Sequence, residues 1–237
     1  MVKRIRAKTV KSQKTNYQSS KTGRKKKPKK QQELHLLDLL VLDKEPITII
    51  AIDPGSHRLG WSVSEIYLNK QNNNIDRVWR DRGTIYGRYT HGKNLESILD
   101  QIDSIVTKYK VTNIILEDYI FIPGKSAGTF VVPGLIGAIK YYWYGTTGLE
   151  PIMVEPGTWK KIICNNMRAD KIMIMESLDK LLDKTIIDNI VDEFSKHKLK
   201  KDQDPQDCFD AIAIDLFVQL HLNNEIKERE AKVDEII

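Results

Sequence analysis

An almost continuous apolar and β-branched run, ITIIAID (47–53), constrains this chain more than any other segment. Such a run is typical of a central strand that is buried on both faces of a sheet. It ends in Asp53, directly before a Pro-Gly turn. Because a carboxylate is costly to bury unless a positive charge neutralises it, the end of this strand is a candidate site. For Asp53 taken alone, ordinary turn chemistry is the alternative.

The segments around this strand predict a mixed order of strands and helices. The Leu-rich segment 33–42 is expected to cover the edge of the core, with a dimer seam as the alternative. Residues 60–68 and 77–87 complete an antiparallel meander. A helical period runs from Leu95 to Val106. The further predicted elements are strands at 111–118 and 151–156 and helices through Tyr144 and at 157–163, 169–183, 185–197 and 206–222. This order predicts an α/β fold with one five-stranded mixed sheet flanked by helices, and it resembles the RNase H-like architecture.

Charge is distributed unevenly along the chain. Residues 1–30 hold 13 Lys and Arg and no acidic residue, whereas residues 31–237 hold 25 basic and 32 acidic residues. The basic segment lacks hydrophobic periodicity, so we expect a disordered arm (1–32) that binds a polyanion through counterion release. A solubilising tail and a nuclear import signal are the alternatives for this arm. The remainder divides into a domain at 33–223 and a charged tail at 224–237.

Two classes of protein are excluded by simple counts. The two cysteines, Cys164 and Cys208, lie too far apart for a CxxC zinc site and are too few for a disulfide framework. The longest apolar run, 130–139, is too short to span a bilayer. We therefore expect a soluble intracellular protein. We expect neither a membrane nor a small-molecule cofactor among its partners.

Four carboxylates stand at informative places. Asp53 ends the first buried strand, Glu117 ends the fourth, and Asp207 and Asp210 share one face near the start of the last helix. Converging carboxylates repel one another and raise their own pKa values, and hard cations such as Mg²⁺ or Mn²⁺ remove that repulsion. The pattern therefore predicts a site with two metal ions that hydrolyses phosphodiesters. For Asp207 alone, the alternative is a helix-start residue favoured by the helix dipole.

Three segments carry these acids, AIDPGSHRLGWSV (51–63), NIILEDYIF (113–121) and DPQDCFDAIAI (204–214). They resemble, in the same order, the acidic motifs of RuvC-type Holliday-junction resolvases, and the resemblance covers about 46–223. The residues that it assigns as metal-binding and catalytic are Asp53, Glu117, Asp207 and Asp210. The resemblance implies an endodeoxyribonuclease that resolves four-way DNA junctions by paired symmetric nicks, acting as a homodimer in recombination, repair or the processing of replication products. It would be located with DNA, in the cytoplasm or nucleoid, at a viral replication site or in the nucleus.

Two lysines extend the resemblance. In the family one lysine follows the fifth strand and another, eleven residues later, opens a helix; Lys160 and Lys171 have that spacing. The resemblance implies that Lys171 is catalytic and contacts the phosphate or the developing charge; a solvated surface lysine is the alternative. Bacterial members usually have two glycines between these lysines, where this chain has Asn165 and Met167. Asn tolerates left-handed backbone and Met does not readily do so, so the geometry of this loop is expected to differ.

Aromatic and basic residues near the acidic motifs are candidate DNA contacts. An aromatic residue just beyond Glu117 can stack on a base at the branch point. One of Tyr119 and Phe121 is expected to pack inward, with Phe121 favoured as the exposed one. Arginines along the third strand contact phosphates or form only its solvated face. The cluster YYWYG (141–145) fits core or dimer packing better than base stacking. The predicted DNA contacts are Tyr119, Phe121, Lys125, Lys160, Arg77, Arg80, Arg82 and Arg88.

Two other functions compete with junction resolution. One is an RNase H-like nuclease that acts on other branched DNA or on RNA. The other is a non-catalytic junction-binding protein, which the intact set of four carboxylates argues against.

Overall fold

The computed structural model describes residues 36, 46–87, 92–119, 130–183, 186–188, 192 and 206–234. Three predicted features lie wholly or mostly outside these residues. They are the disordered arm, the Leu-rich segment and the helix at 185–197. Leu36, from the Leu-rich segment, is fully buried, and its N–H donates to Glu225 Oε1 at 2.8 Å. No helix in the described part of the chain is both long and apolar enough to cross a membrane.

The elements follow the predicted order. They are β1 (Ile47–Pro54), β2 (Arg58–Asn69), β3 (Asn74–Tyr86), α1 (Gly92–Tyr109), β4 (Asn113–Glu117), α2 (Val131–Thr147), β5 (Ile152–Val154), α3 (Pro156–Cys164), α4 (Lys171–Leu181) and α5 (Gln206–Asp234). α5 continues through most of the segment that the sequence assigns to a charged tail. Contacts with the β2–β3 hairpin favour this extension, because Asn223 Oδ1 accepts the N–H of Ile75 at 2.6 Å.

The predicted five-stranded mixed sheet is confirmed, with strand order β3-β2-β1-β4-β5. β2 pairs antiparallel with both β1 and β3, while β4 pairs parallel with both β1 and β5. β1 is central, and its residues Ile49–Ile52 are fully buried, as an apolar β-branched run predicts.

Helices cover both faces of this sheet. On one face, Ile50 of β1 and Leu116 of β4 pack in a core with Ile102 of α1 and Trp143 of α2. α5 packs against β1, β2 and β3. Because side chains alternate along a strand, the residues of β1 and β4 next to Ile50 and Leu116 point to the opposite face, towards α5.

A buried carboxylate fixes α5 to the sheet. Asp215 is fully buried and accepts hydrogen bonds from Ser62 Oγ at 2.7 Å, Ser64 Oγ at 2.6 Å and Trp79 Nε1 at 2.8 Å. The guanidinium of Arg77 lies 3.6 Å from the same carboxylate and 4.3 Å from the centre of the Trp79 ring. These four partners come from β2 and β3, so they set the position of α5 over the sheet.

Candidate functional site

Asp53 and Glu117 lie side by side at one edge of the sheet. Ile52 of β1 is in register with Leu116 of β4 in a parallel pair, so Asp53 and Glu117 are the next residues of two neighbouring strands. Ile52 and Leu116 face the core with α1 and α2, so alternation turns the two acids towards α5. The expected meeting of these strand ends is therefore observed.

The first turn of α5 brings two further carboxylates to the same place. Asp207 and Asp210 lie three positions apart near the start of this helix. The backbone of Asp207 rests against Gly60 of β2, the residue in register with Asp53. Both Asp207 and Asp210 are close enough to Asp53 to act on its charge. The structure thus groups the four carboxylates that the sequence singles out.

The pKa of Asp53 reflects this grouping. Burial raises the pKa of Asp53 well above its ordinary value, and the charge of Glu117, a hydrogen bond with Glu117 and the charges of Asp210 and Asp207 raise it further. Two carboxyl groups can share a hydrogen bond only when one of them carries a proton. In the absence of a cation, therefore, Asp53 loses its proton at a higher pH than an exposed aspartate does.

Two partners of the site were not foreseen from the sequence. Trp159 of α3 is buried, and its Nε1 donates to Glu117 Oε1 at 2.9 Å, which fixes that carboxylate. Arg58, the first residue of β2, places its Nε 2.7 Å from Asp207 Oδ2. No local pattern marks either residue, because both partners are distant in sequence.

The donor set suits a hard divalent cation, since all four groups offer carboxylate oxygens. Within the described residues, however, no three acidic, histidine or cysteine side chains already have a metal-binding arrangement. In this arrangement Glu117 is engaged by Trp159 and Asp53, and Asp207 by Arg58. The four groups fit a metal ion by the chemistry of their oxygens and by their common position.

The two lysines occupy different surroundings. Lys160 follows Trp159, the residue whose indole binds Glu117. The Nζ of Lys160 lies 5.2 Å from the centre of the Trp159 ring. Lys171 is the exposed first residue of α4, after the N-cap Asp170. Its contact with phosphate remains a prediction.

The loop between these lysines shows how the two glycine positions are filled. Asn165 ends α3 in left-handed backbone with φ of 51°, as its tolerance of this region predicts. Met167 has no positive φ, and its Cε would lie 3.1 Å from a Cβ built on Gly157, near the start of α3.

The arginines of β3 differ from one another. The side chain of Arg77 is only 8% exposed and faces Asp215, so this residue is neither the solvated face nor the phosphate contact that the sequence predicts. Arg80 is exposed and bonded to Glu65, and Arg82 is half-buried. Arg88 lies outside the described residues.

The aromatic candidates are only partly described. Tyr119 is half-buried and packs against the main core, as expected if it is the inward-facing member of its pair. Phe121 and Lys125 lie outside the described residues, so their contact with DNA remains a prediction. In the 141–145 cluster, Trp143 is core and Tyr141 is 84% exposed.

The sequence matches no family model and no curated protein. Among solved structures, RuvC of Thermus thermophilus in complex with a Holliday junction substrate has a TM-score of 0.53 at 15% identity, covering 77% of this chain and 96% of that chain. Another structure of the Thermus protein has a TM-score of 0.51 at 15% identity, covering 78% and 97%. The yeast mitochondrial Holliday junction resolvase Ydc2 has a TM-score of 0.51 at 12% identity, covering 81% of this chain and 87% of that chain. The chain therefore has the RNase H-like fold of the RuvC-type Holliday-junction resolvases.

Proposed function

We propose that this protein is a metal-dependent DNA endonuclease that resolves four-way junctions by paired symmetric nicks. The grouping of Asp53, Glu117, Asp207 and Asp210 supports the proposal most strongly, because it collects four oxygen donors at the edge of a nuclease fold. Its place in the cell would be with DNA, in recombination, repair or the processing of replication products.

The four carboxylates would hold Mg²⁺ or Mn²⁺, with two ions in each site. Two such ions supply an activated water and stabilisation of the leaving 3′ oxygen, so the products would carry 5′-phosphate and 3′-hydroxyl ends. Trp159 would keep Glu117 oriented through its Nε1 hydrogen bond. Lys160 and Lys171 would contact the DNA backbone on either side of the loop between α3 and α4.

Branched DNA is the proposed substrate class. The Thermus structure with TM-score 0.53 is described as a complex with a Holliday junction substrate. The same fold in this chain, with four carboxylates at one edge of its sheet, supports a similar substrate here. Arg80 and Arg82 on β3 and the basic arm would add phosphate contacts.

A homodimer follows from the substrate, because a junction with two-fold symmetry requires two symmetric cuts. The exposed side of α2 is the proposed contact between the two copies. Phe130, just before α2, is 83% exposed, and Tyr141 and Tyr144 on the same side are 84% and 56% exposed. We expect Tyr141→Glu to convert a dimer into a monomer in sedimentation experiments, while Asp100→Lys on α1 leaves it dimeric. A wild-type monomer on junction DNA would contradict this assembly.

Nick mapping tests the function directly. The purified protein is incubated with mobile and fixed four-way junctions, a flap and an RNA duplex, in Mg²⁺, Mn²⁺ or EDTA. We expect paired nicks in the junctions only, and none in EDTA. Preferred cutting of the flap or the RNA would instead favour another RNase H-like nuclease, and metal-independent binding without any cutting would favour a junction-binding protein.

Variants assign the site within the same assay. We expect Asp53→Asn and Glu117→Gln to abolish cleavage while junction affinity stays within about three-fold, because the shape of each side chain is kept and only one metal-binding charge is lost. Asp118→Asn is the matched control, since Asp118 follows Glu117 but is exposed. It should cut at the wild-type rate. Near wild-type cutting by Asp53→Asn in Mg²⁺ would refute the metal assignment.

A further inference from the structure

Asp207 already has a cation from its own chain. Arg58 Nε lies 2.7 Å from Asp207 Oδ2, and the two side chains are 23% and 17% exposed. A guanidinium keeps its charge at every pH at which the protein is folded. One of the four grouped carboxylates therefore faces a permanent positive charge, in a place largely screened from solvent.

The backbone holds this pair in place. Arg58 and Gly60 lie two residues apart on β2, so both face the side of the sheet that α5 covers. Gly60 lies directly beneath the backbone of Asp207, which brings the first turn of α5 within reach of the arginine. The charges of Arg58 and Asp207 both act on Tyr86, which is in register with Arg58 and borders the pair.

Asp53 and Glu117 are held differently: Asp53 is hydrogen-bonded to Glu117, and Glu117 accepts from a neutral indole. The site thus has two unequal halves, an Asp207 half with a resident cation and an Asp53–Glu117 half with uncharged donors. A metal ion ligated by Asp207 either displaces Arg58 or shares the carboxylate with it, and in both cases it meets a like charge.

We propose that Arg58 is a positioning residue that acts as a resident cation at Asp207 and makes the two halves of the metal site unequal, so that its charge opposes a metal ion ligated through Asp207. The inference rests on the proposed metal-dependent function and adds a residue that sets the metal affinity. It makes occupancy of the Asp207 half, and hence full activity, dependent on the metal concentration.

Metal binding without DNA tests the inference. Mn²⁺ is titrated calorimetrically into the full-length protein, its Arg58→Gln variant and Arg80→Gln. Arg80 is the matched control, since it is an exposed arginine on the neighbouring strand that is paired with Glu65. We expect Arg58→Gln to tighten the weaker binding event at least about tenfold, because it removes a like charge a few ångströms away. The tighter event and the Arg80→Gln titration should stay within about two-fold of wild type, because a distant exposed charge is screened.

Two further variants separate a charge effect from a merely structural one. Arg58→Lys keeps the charge without the planar guanidinium, and we expect a gain of only about threefold in the weaker event; this variant also carries the test if Arg58→Gln does not fold. In an Asp207→Asn background, Arg58→Gln should have no effect on Mn²⁺ binding.

The outcomes are distinct. Coinciding titrations of wild type and both Arg58 variants, or a gain that persists without Asp207, overturn the inference and leave the metal-dependent function standing. An Arg58→Gln variant that loses thermal stability in EDTA but binds Mn²⁺ like wild type shows a structural anchor and also overturns it. If the wild type binds no Mn²⁺ at all, both the inference and the proposed metal chemistry fail.

Discussion

Gly60 of β2 and Asp207 of α5 are in backbone contact. A Cβ built on Gly60 would lie 1.8 Å from the carbonyl oxygen of Asp207 and 2.4 Å from its carbonyl carbon. Real Cβ atoms do not approach backbone atoms this closely, so only glycine allows the helix to lie at this distance from the strand. Because Gly60 is in register with Asp53, the contact also sets how near the carboxylates of α5 come to that of Asp53.

Gly60→Ala should therefore displace the first turn of α5. We expect a loss of about 3 kcal/mol in the free energy of unfolding, since the added methyl meets backbone that no rotamer change can clear. Mn²⁺ binding should weaken in parallel. Gly145→Ala on α2 is the control, because a Cβ there meets nothing within 4 Å. Urea denaturation of both variants measures the difference, and equal stabilities would contradict the contact.

The four carboxylates could be predicted because local periodicity places them. Two apolar runs of strand length end at Asp53 and Glu117, and helical spacing puts Asp207 and Asp210 on one face. Parallel pairing of β1 and β4 then brings the two strand ends together. The order of strands and helices follows from the same local patterns, apolar runs of strand length and helical spacing, which explains why it was predicted correctly.

The partners of these carboxylates could not be predicted, because they depend on how distant segments pack. Arg58 and Trp159 bind acids from other elements, and no spacing in the sequence links them.

Arg77 was assigned wrongly for a related reason. Ser64 pairs with Trp79 but Val63 pairs with Asp81, so Arg80 is the extra residue of a bulge. A bulge interrupts the alternation from which exposure along β3 was inferred.

Asp53→Asn should stabilise the metal-free protein in a pH-dependent way. The folded-state pKa of Asp53 is raised, so wild type loses stability as pH rises through that pKa, while below the ordinary value of about 3.9 nothing is lost. The variant should therefore equal wild type at acid pH and exceed it at neutral pH. Urea denaturation in EDTA across this pH range measures it. A variant less stable than wild type at neutral pH would argue against repulsion at the site.

Asp215→Ala should destabilise the fold strongly. The change leaves Arg77 buried without its carboxylate and removes the acceptor of Ser62, Ser64 and Trp79. Breaking a buried pair in this way costs about 3–5 kcal/mol. Glu230→Ala is the control, since Glu230 is exposed and accepts a hydrogen bond from Asn73 at the protein surface; its cost should stay below about 1 kcal/mol. Equal melting temperatures of the two variants would show that Asp215 does not anchor α5.

Lys171→Ala should lower the single-turnover cleavage rate by about 100-fold and junction affinity by much less, because a donor to developing charge acts mainly in the transition state. Lys161→Ala is the control, since the Nζ of Lys161 donates to Asn165 Oδ1 within the same loop region. It should change neither value. Equal losses of rate and affinity for Lys171→Ala would identify an ordinary phosphate contact.

Deletion of residues 1–30 should separate general DNA affinity from junction selectivity. The deleted segment carries 13 of the chain's 38 basic residues and no acidic one, while His35–Ile237 forms a compact unit that contains the four carboxylates. Each phosphate that the arm neutralises contributes about 0.9 to the slope of log affinity against log salt on duplex DNA. Even four or five such contacts would make the full-length protein clearly more sensitive to salt than the truncated one.

Positive charge of this kind does not distinguish one DNA shape from another. At low salt the truncated protein should therefore retain its preference for junctions and its metal-dependent cutting. Affinity for junction and duplex DNA, measured from low to high salt, gives the slope for the full-length and the truncated protein. Identical slopes for the two proteins would show that the arm does not contact the DNA.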